Sequence, residues 1–263
     1  AVVMFLGEHP DMSAEANNRT SLDLPGVQEQ LALAVAATGK PVVAVLLNGR
    51  PLSIGGLKGK VPAILEAWFP GVEGGHAITD VLFGDVNPSA KLPVTFPHNV
   101  GQVPIYYAHK NTGRPPSEQE KYTSKYLDVP WTPLYAFGHG LSYTTFRYDA
   151  PVVAKKTLAP SALQQQVSVR VTNTGKREGV EVVQLYVRDD VATVTRPVKQ
   201  LRGFQRVSLA PGESKTVTFD LGFEDLAMYD DRMQRVVEPG TFTVYVGGSS
   251  DRTREVAFEV TAQ

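Results

Sequence analysis

Short unbroken apolar runs recur over the first third of the chain. An apolar run of this length that is closed by turn residues is typical of a strand buried on both faces. The opening run, for example, is closed by Gly7. The pattern predicts three strands and a further candidate strand at positions 2–6, 41–47, 63–68 and 92–96.

Two stretches between these runs carry apolar residues at helical spacing. The first covers residues 25–37, with Pro25 at the first helical position, and the second begins near Gly71 and ends at Gly84. The predicted buried faces comprise Val27, Leu31, Ala34 and Val35 in the first helix and Ala77, Ile78, Val81 and Leu82 in the second. This β-α-β-α order favours a mainly parallel sheet with helices on both faces.

The periodicity changes twice further along the chain. Residues 98–140 are rich in Pro, Tyr, Lys and Gly and show little periodicity, which predicts a long irregular connection. From 141 onward, apolar and polar residues alternate in short stretches separated by turn signals such as Pro211-Gly212. Alternation of this kind is typical of a β-sandwich of immunoglobulin or fibronectin type.

We therefore expect an α/β domain over residues 1–97, a connecting segment over 98–140 and an all-β domain over 141–263. The 263 residues are enough for two domains, and 42% hydrophobic residues allow packed cores. A formal net charge of -1 without a basic, aromatic-rich block argues against nucleic-acid binding. No apolar stretch is long enough for a membrane span, and the absence of cysteine excludes thiol chemistry.

The polar stretch after the first strand is the main candidate for chemistry. It reads Gly-Glu-His-Pro-Asp-Met-Ser-Ala-Glu-Ala-Asn-Asn-Arg at positions 7–19. Ligands bind at the carboxyl ends of strands in open α/β sheets, so this loop is well placed for a site. Glu15 is either a solvated carboxylate or a functional one, and Arg19 suits a hydroxyl-rich ligand. Glu8 either binds a ligand hydroxyl or holds the loop by accepting backbone N–H bonds.

Other motifs carry weaker signals. The glycines at positions 71–75 could cradle a phosphate at a helix start, but tight helix packing explains them better because the spacing matches no nucleotide fingerprint. The five histidines lack metal-ligand spacing, so no metal site is predicted. Trp68 and Trp131 could stack on sugar rings, although Trp68 ends an apolar run and suits core packing.

Several stretches together resemble glycoside hydrolase family 3, most closely its bacterial periplasmic β-glucosidases. The loop at 7–19 is similar to the family's active-site loop. Further similarity lies in the α/β portion and in the fibronectin-like end, at positions 47–51, 68–75, 82–93, 137–144 and 196–204. The resemblance covers nearly the whole chain.

The resemblance implies a three-part enzyme with a barrel, an α/β sandwich and a fibronectin type III-like domain, of which this chain would be the last two with the front of the sandwich missing. The family's acid/base matches Glu15, and Glu8 is the alternative on the same loop. Glu8, Met12 and Arg19 are expected to bind substrate. The family's nucleophilic aspartate belongs to the barrel, and nothing in this chain resembles it.

The resemblance further implies retaining hydrolysis of terminal β-glucosides, no cofactor, and a periplasmic or secreted location. The expected partners are a β-glucoside or oligosaccharide substrate and the barrel of the same protein. No nucleic acid and no membrane are expected as partners, and formation of a homodimer is left as an open alternative. Two other functions remain as alternatives: a non-catalytic carbohydrate-binding or interaction module, and a phosphate-binding α/β protein.

Overall fold

The computed structural model describes residues 1–262, and they form two compact units. The first unit comprises residues 1–86, 94–105 and 126–135, and the second comprises 87–93, 106–125 and the chain from 136 onward. The segment 98–140 thus contributes to both units. It contains one short 3-10 helix, Val100–Gln102, and no strand.

A three-stranded parallel sheet forms the centre of the first unit. Its strands are β1 (Val2–Gly7), β2 (Val42–Leu47) and β3 (Ala63–Glu66), and they lie in the order β1-β2-β3. Gly7 lies opposite Leu47, and Leu46 lies opposite Glu66. The carboxyl ends of all three strands therefore meet at one edge of the sheet.

The prediction that the first strand is buried on both faces is wrong for these residues. Met4 and Leu6 are buried, whereas Val3 and Phe5 are exposed. Successive side chains of a strand point to opposite faces, and the residues that the structure describes leave the face of Val3 and Phe5 largely uncovered. β2 is the strand that fits the prediction best, with Val42, Ala44, Val45 and Leu46 buried.

The first helix, α1 (Gln28–Ala36), begins three residues later than predicted because Pro25 and Gly26 belong to a turn before it. Its predicted buried face is also wrong: Ala32 is buried, while Val27 and Leu31 are exposed. The hydrogen bonds of the Gln28 side chain account for the face that α1 turns toward the sheet. Its amide nitrogen donates to the Gly7 carbonyl at 2.9 Å, and its amide oxygen accepts from the Gly7 N–H at 2.7 Å.

The second helix, α2 (Gly74–Phe83), ends as predicted at Gly84, which has a left-handed backbone conformation. Ile78 is buried as predicted, but Ala77 is exposed. The candidate strand at 92–96 is absent. Phe96 makes only an isolated bridge to Tyr135. Pro93 within the stretch and Pro97 directly after it lack the N–H groups that a sheet ladder needs.

The second unit contains a β-sandwich, which confirms the all-β part of the predicted fold class. Its strands and short helix are β4 (Phe146–Tyr148), β5 (Val152–Val153), β6 (Thr157–Leu158), β7 (Gln165–Asn173), β8 (Gly179–Asp189), β9 (Gln200–Leu209), β10 (Ser214–Leu221), α3 (Phe223–Leu226), β11 (Met228–Tyr229), β12 (Arg235–Val236), β13 (Gly240–Ser249) and β14 (Arg252–Val260).

Two sheets face each other across the sandwich core. One has the order β10-β7-β4, with β5 also paired to β7, and the other has the order β6-β14-β13-β8-β9. The predicted alternation places inward residues in the core: Val167, Val169 and Val171 from β7, and Val183, Leu185 and Val187 from β8. Pro211-Gly212 forms the predicted turn between β9 and β10. No helix within residues 1–262 is long and apolar enough to cross a membrane.

Candidate active site

Polar residues collect where the three parallel strands end. Glu8 follows β1, Arg50 comes shortly after β2, and Glu66 is the last residue of β3. The Glu8 N–H donates to the Leu47 carbonyl at 2.8 Å, so the loop after β1 starts out paired with the end of β2. This edge is the position at which ligands bind in parallel α/β sheets.

Glu8 holds the loop in place. Its side chain is fully buried, and its carboxylate accepts hydrogen bonds from the Ser13 hydroxyl at 2.5 Å, from Arg19 Nη1 at 2.6 Å and from the Gly49 N–H at 3.2 Å. Arg50 Nε adds a charge contact at 3.1 Å without hydrogen-bond geometry. These contacts tie the two ends of the loop to the residues that follow β2.

The donors around Glu8 also fix its ionisation state. Burial alone would raise the pKa of the Glu8 carboxyl, but the hydrogen bonds from Ser13, Arg19 and Gly49 and the charge of Arg50 outweigh it and lower the pKa below its ordinary value. Glu8 is therefore held as a carboxylate. A group held in this way is poorly suited to donating a proton.

Arg50 fastens the middle of the loop from the other side. Its Nη2 donates to the Met12 carbonyl at 2.5 Å and to the Asn17 carbonyl at 3.1 Å. These two carbonyls flank residues 13–16 on either side. Arg50 therefore fixes the backbone before and after the segment that contains Glu15.

Glu15 is displayed at the tip of a tight turn between these fixed points. The Asn17 N–H donates to the Ala14 carbonyl at 3.0 Å, which places Glu15 and Ala16 at the two central positions. Ala16 has φ +64°, an uncommon conformation for a residue with a side chain, and such residues cluster at functional sites. Glu15 is exposed. Within residues 1–262 its carboxylate has no hydrogen-bond or ion-pair partner.

The other predicted site residues lie on the same loop in different surroundings. Met12 is exposed, and its backbone carbonyl is the part that Arg50 binds. Arg19 is about one-fifth exposed, and it divides its guanidinium between Glu8 and the Asp23 carbonyl, which accepts from Nη2 at 3.0 Å. Among the described residues, the contacts of Arg19 are thus to Glu8 at the start of the loop and to Asp23 just beyond its end.

Sequence reasoning missed the contribution of the neighbouring strands. The pattern at Asn48-Gly49-Arg50 predicted only the end of a strand, and Glu66 received no role. The available signal was their position, because residues just after adjacent parallel strands share one edge with the loop after β1. Asn48 is buried, and its amide nitrogen donates to the Arg50 carbonyl at 2.9 Å and to Glu66 Oε2 at 3.4 Å.

Glu66 has the most perturbed ionisation at this edge of the sheet. Burial raises the pKa of its carboxyl, hydrogen bonds from the Trp68 N–H and from Asn48 lower it, and the result is a pKa of about 7. The edge therefore holds one carboxyl whose pKa is lowered, Glu8, and one that titrates near neutrality, Glu66. Glu15 is an exposed carboxylate that projects from it, and the other exposed carboxylate of the loop, Asp11, pairs with His9 at 3.2 Å.

This arrangement can present one carboxyl group to a ligand on a rigid turn. A single exposed carboxyl suits proton transfer to or from a bound molecule. Within residues 1–262 no group of three or more His, Cys, Asp or Glu side chains could hold a metal ion. An exposed carboxyl of this kind is equipped for acid/base chemistry.

The sequence matches two known families. Residues 1–143 match the Glycosyl hydrolase family 3 C-terminal domain, and residues 181–250 match the Fibronectin type III-like domain. The chain belongs to glycosyl hydrolase family 3. The predicted family and both parts of the predicted fold class are thereby confirmed.

Individual relatives are similar over nearly the whole chain. A periplasmic β-glucosidase of Salmonella typhimurium is 50% identical over 98% of this chain, and a β-xylosidase of Formosa agariphila is 48% identical over 95% of it. The crystal structure of a Listeria innocua β-glucosidase in complex with glucose superimposes with a TM-score of 0.95 at 42% identity, covering 99% of this chain.

The chain spans about a third of the length of these relatives. It corresponds to 34% of the Salmonella typhimurium and Formosa agariphila proteins and to 36% of the Listeria innocua protein. Most of each relative therefore lies outside the region that this chain matches.

Proposed function

We propose that this chain is the C-terminal part of a retaining β-glucosidase and that it supplies the general acid/base, Glu15. The observation that carries the proposal is the turn at residues 14–17. It is fixed on both sides by Arg50, is anchored by Glu8, and leaves the Glu15 carboxyl exposed. The β-glucosidases among the relatives support the reaction class.

A retaining glycosidase uses two carboxyl groups about 5–5.5 Å apart on either side of the scissile bond. In the first step Glu15 donates a proton to the glycosidic oxygen, while a nucleophile forms the covalent glycosyl intermediate. In the second step Glu15 removes a proton from water, which attacks the intermediate and restores the original configuration. We assign the nucleophile to a barrel domain that precedes this chain in the intact enzyme.

The contrast between the two glutamates supports the choice of Glu15 over Glu8. Both lie on the same loop, but the four contacts of Glu8 keep it ionised and buried. An acid/base must exchange a proton with substrate and water in each turnover. Glu8 therefore takes the role of loop anchor, and Arg19 and Met12 shape the substrate side of the same loop.

The relatives also bear on substrate and location. Because one relative is named a β-xylosidase and another a periplasmic β-glucosidase, we propose a terminal β-glucosyl or related β-pyranosyl substrate and a periplasmic or secreted enzyme. The test is activity of the intact enzyme and its Glu15→Gln variant on an unactivated alkyl β-glucoside and the matching alkyl β-xyloside. The proposal expects a loss of at least 100-fold on the preferred glycoside. An unchanged rate favours a non-catalytic carbohydrate-binding or interaction module.

A further inference from the structure

A second strained turn lies at the same sheet edge as the Glu15 turn. Three non-glycine residues among those described have positive φ, and two of them are Ala16 and Trp68. Trp68 has φ +50° and lies just after β3. A bulky side chain in this backbone region is a genuine outlier, and such outliers mark functional positions.

The surrounding residues hold this turn in its conformation. The Trp68 N–H donates to Glu66 Oε1 at 3.1 Å, which closes the turn directly after the strand. The Trp68 ring packs on the ring of Phe96, with centroids 5.8 Å apart, and Phe96 is buried. Trp68 is thereby half-buried against Phe96, and the following residue, Phe69, is exposed.

Phe69 presents its ring beside the acid/base loop. Its side chain is 61% exposed. A Cβ added to Gly49 would lie 2.8 Å from Phe69 Cε2 and 2.7 Å from the Ser13 hydroxyl, so the ring and the loop flank the same point. Ser13 binds the anchor Glu8 and lies two residues before Glu15. An exposed aromatic ring therefore adjoins the base of the turn that displays Glu15.

We propose that Phe69 is a specificity-determining residue that stacks against the leaving group of the glycoside. This inference rests on the proposed function. An acid/base approaches the glycosidic oxygen from the leaving-group side, so an apolar surface next to its loop is near the aglycone. Aromatic rings and the C–H faces of sugars offer the flat apolar surface on which Phe69 can stack.

Two substrates separate stacking from the acid/base role. The leaving groups of 2,4-dinitrophenyl β-glucoside and β-glucosyl fluoride both depart without proton assistance. Only the dinitrophenyl group has a ring that can stack on Phe69. In the intact enzyme we expect Phe69→Ala to lower kcat/KM for the dinitrophenyl glucoside about tenfold and to leave the fluoride within about twofold. Phe69→Tyr keeps the ring and retains the wild-type ratio.

Val72 provides a matched control, because it is a fully exposed apolar residue of the same connection before α2. Val72→Ala should leave the ratio of the two kcat/KM values at its wild-type level. An equal loss on both substrates, accompanied by a lower Tm, would mean that Phe69 packs against protein and would overturn the inference. If Phe69→Ala leaves kcat/KM unchanged for both substrates, the inference is overturned as well.

The failure of this inference can be told apart from failure of the proposed function. If Glu15→Gln turns over an unactivated alkyl β-glucoside at the wild-type rate, the acid/base assignment fails whatever Phe69 does. If Glu15→Gln is inactive on that substrate and Phe69→Ala leaves the ratio for the two activated substrates unchanged, only the stacking role fails.

Discussion

Exchanging Glu8 for glutamine tests whether this residue anchors the loop at positions 7–19. Glu8→Gln keeps the size of the side chain but removes its charge. The amide has one oxygen left to accept from Ser13, Arg19 and the Gly49 N–H, and its NH₂ group faces donors. Arg19 and Arg50 then lose the carboxylate that they surround.

The contacts set the size of the effect. Breaking a buried ion pair by removing one partner costs about 3–5 kcal/mol. The Arg19 and Arg50 side chains are 19% and 22% exposed, so water can partly rehydrate both guanidinium groups in the variant. We therefore expect the lower end, about 3 kcal/mol, which corresponds to roughly a 100-fold increase in the population of the open loop.

Hydrogen exchange of the loop in the intact enzyme is the assay. Peptides that cover residues 8–24 should exchange roughly 100-fold faster in Glu8→Gln than in the wild type, where Met12, Ser13 and Asn17 have bonded N–H groups. Activity should fall as well because the turn is no longer held. Glu15→Gln is the matched control: it should lose activity without faster exchange.

The effect should also depend on pH. The pKa of Glu8 is lowered in the fold, so its stabilisation is present above the ordinary carboxyl range near 4.5 and is lost as pH falls through the folded value. The difference between wild type and Glu8→Gln should therefore persist at neutral pH and shrink below about pH 4.5. Equal exchange in the two proteins at pH 7 would refute the anchor role.

Three further predictions concern the same site. The pKa of Glu66 is raised from 4.5 to about 7, so the stability that protonated Glu66 gives the fold is full below pH 4.5 and declines as pH rises through 7. From pH 5 to 8 the Tm of Glu66→Gln should therefore rise relative to that of the wild type. The difference in unfolding free energy between the two proteins should change by up to about 3 kcal/mol over this range. Gly49→Ala should lower stability by about 1–3 kcal/mol in thermal unfolding, since its Cβ meets Ser13 and Phe69. The chain of residues 1–263 alone should not hydrolyse an aryl β-glucoside, and turnover abolished by Glu15→Gln would contradict this.

Periodicity predicted the parts of the fold in which side-chain burial follows backbone repeat. The alternating valines of β7 became core residues, and α2 ends at Gly84 as predicted. The face of α1 could not be predicted this way. It is set by the two hydrogen bonds between Gln28 and Gly7, and a polar contact over 21 residues leaves no trace in hydrophobic spacing.

The candidate site likewise has a part that the sequence predicted and a part that it did not. The loop and Glu15 were accessible from the sequence because the loop follows a strand and resembles a family motif. Arg50 and Glu66 received no role, although their positions at strand ends were readable, because the contacts of each depend on strand pairing between distant positions. The hydrogen bond that Glu8 accepts from the Gly49 N–H spans a sequence separation of 41 and follows only from the parallel register.

The most direct test of the central claim is azide rescue of Glu15→Ala in the intact enzyme. Without its acid, the variant should lose most activity on glucosides with poor leaving groups and least on an activated aryl glucoside. The intermediate should then accumulate for lack of a base, and azide should restore turnover of the activated substrate and yield β-glucosyl azide. Equal losses for good and poor leaving groups, with no rescue by azide, would contradict the assignment of Glu15 as the acid/base.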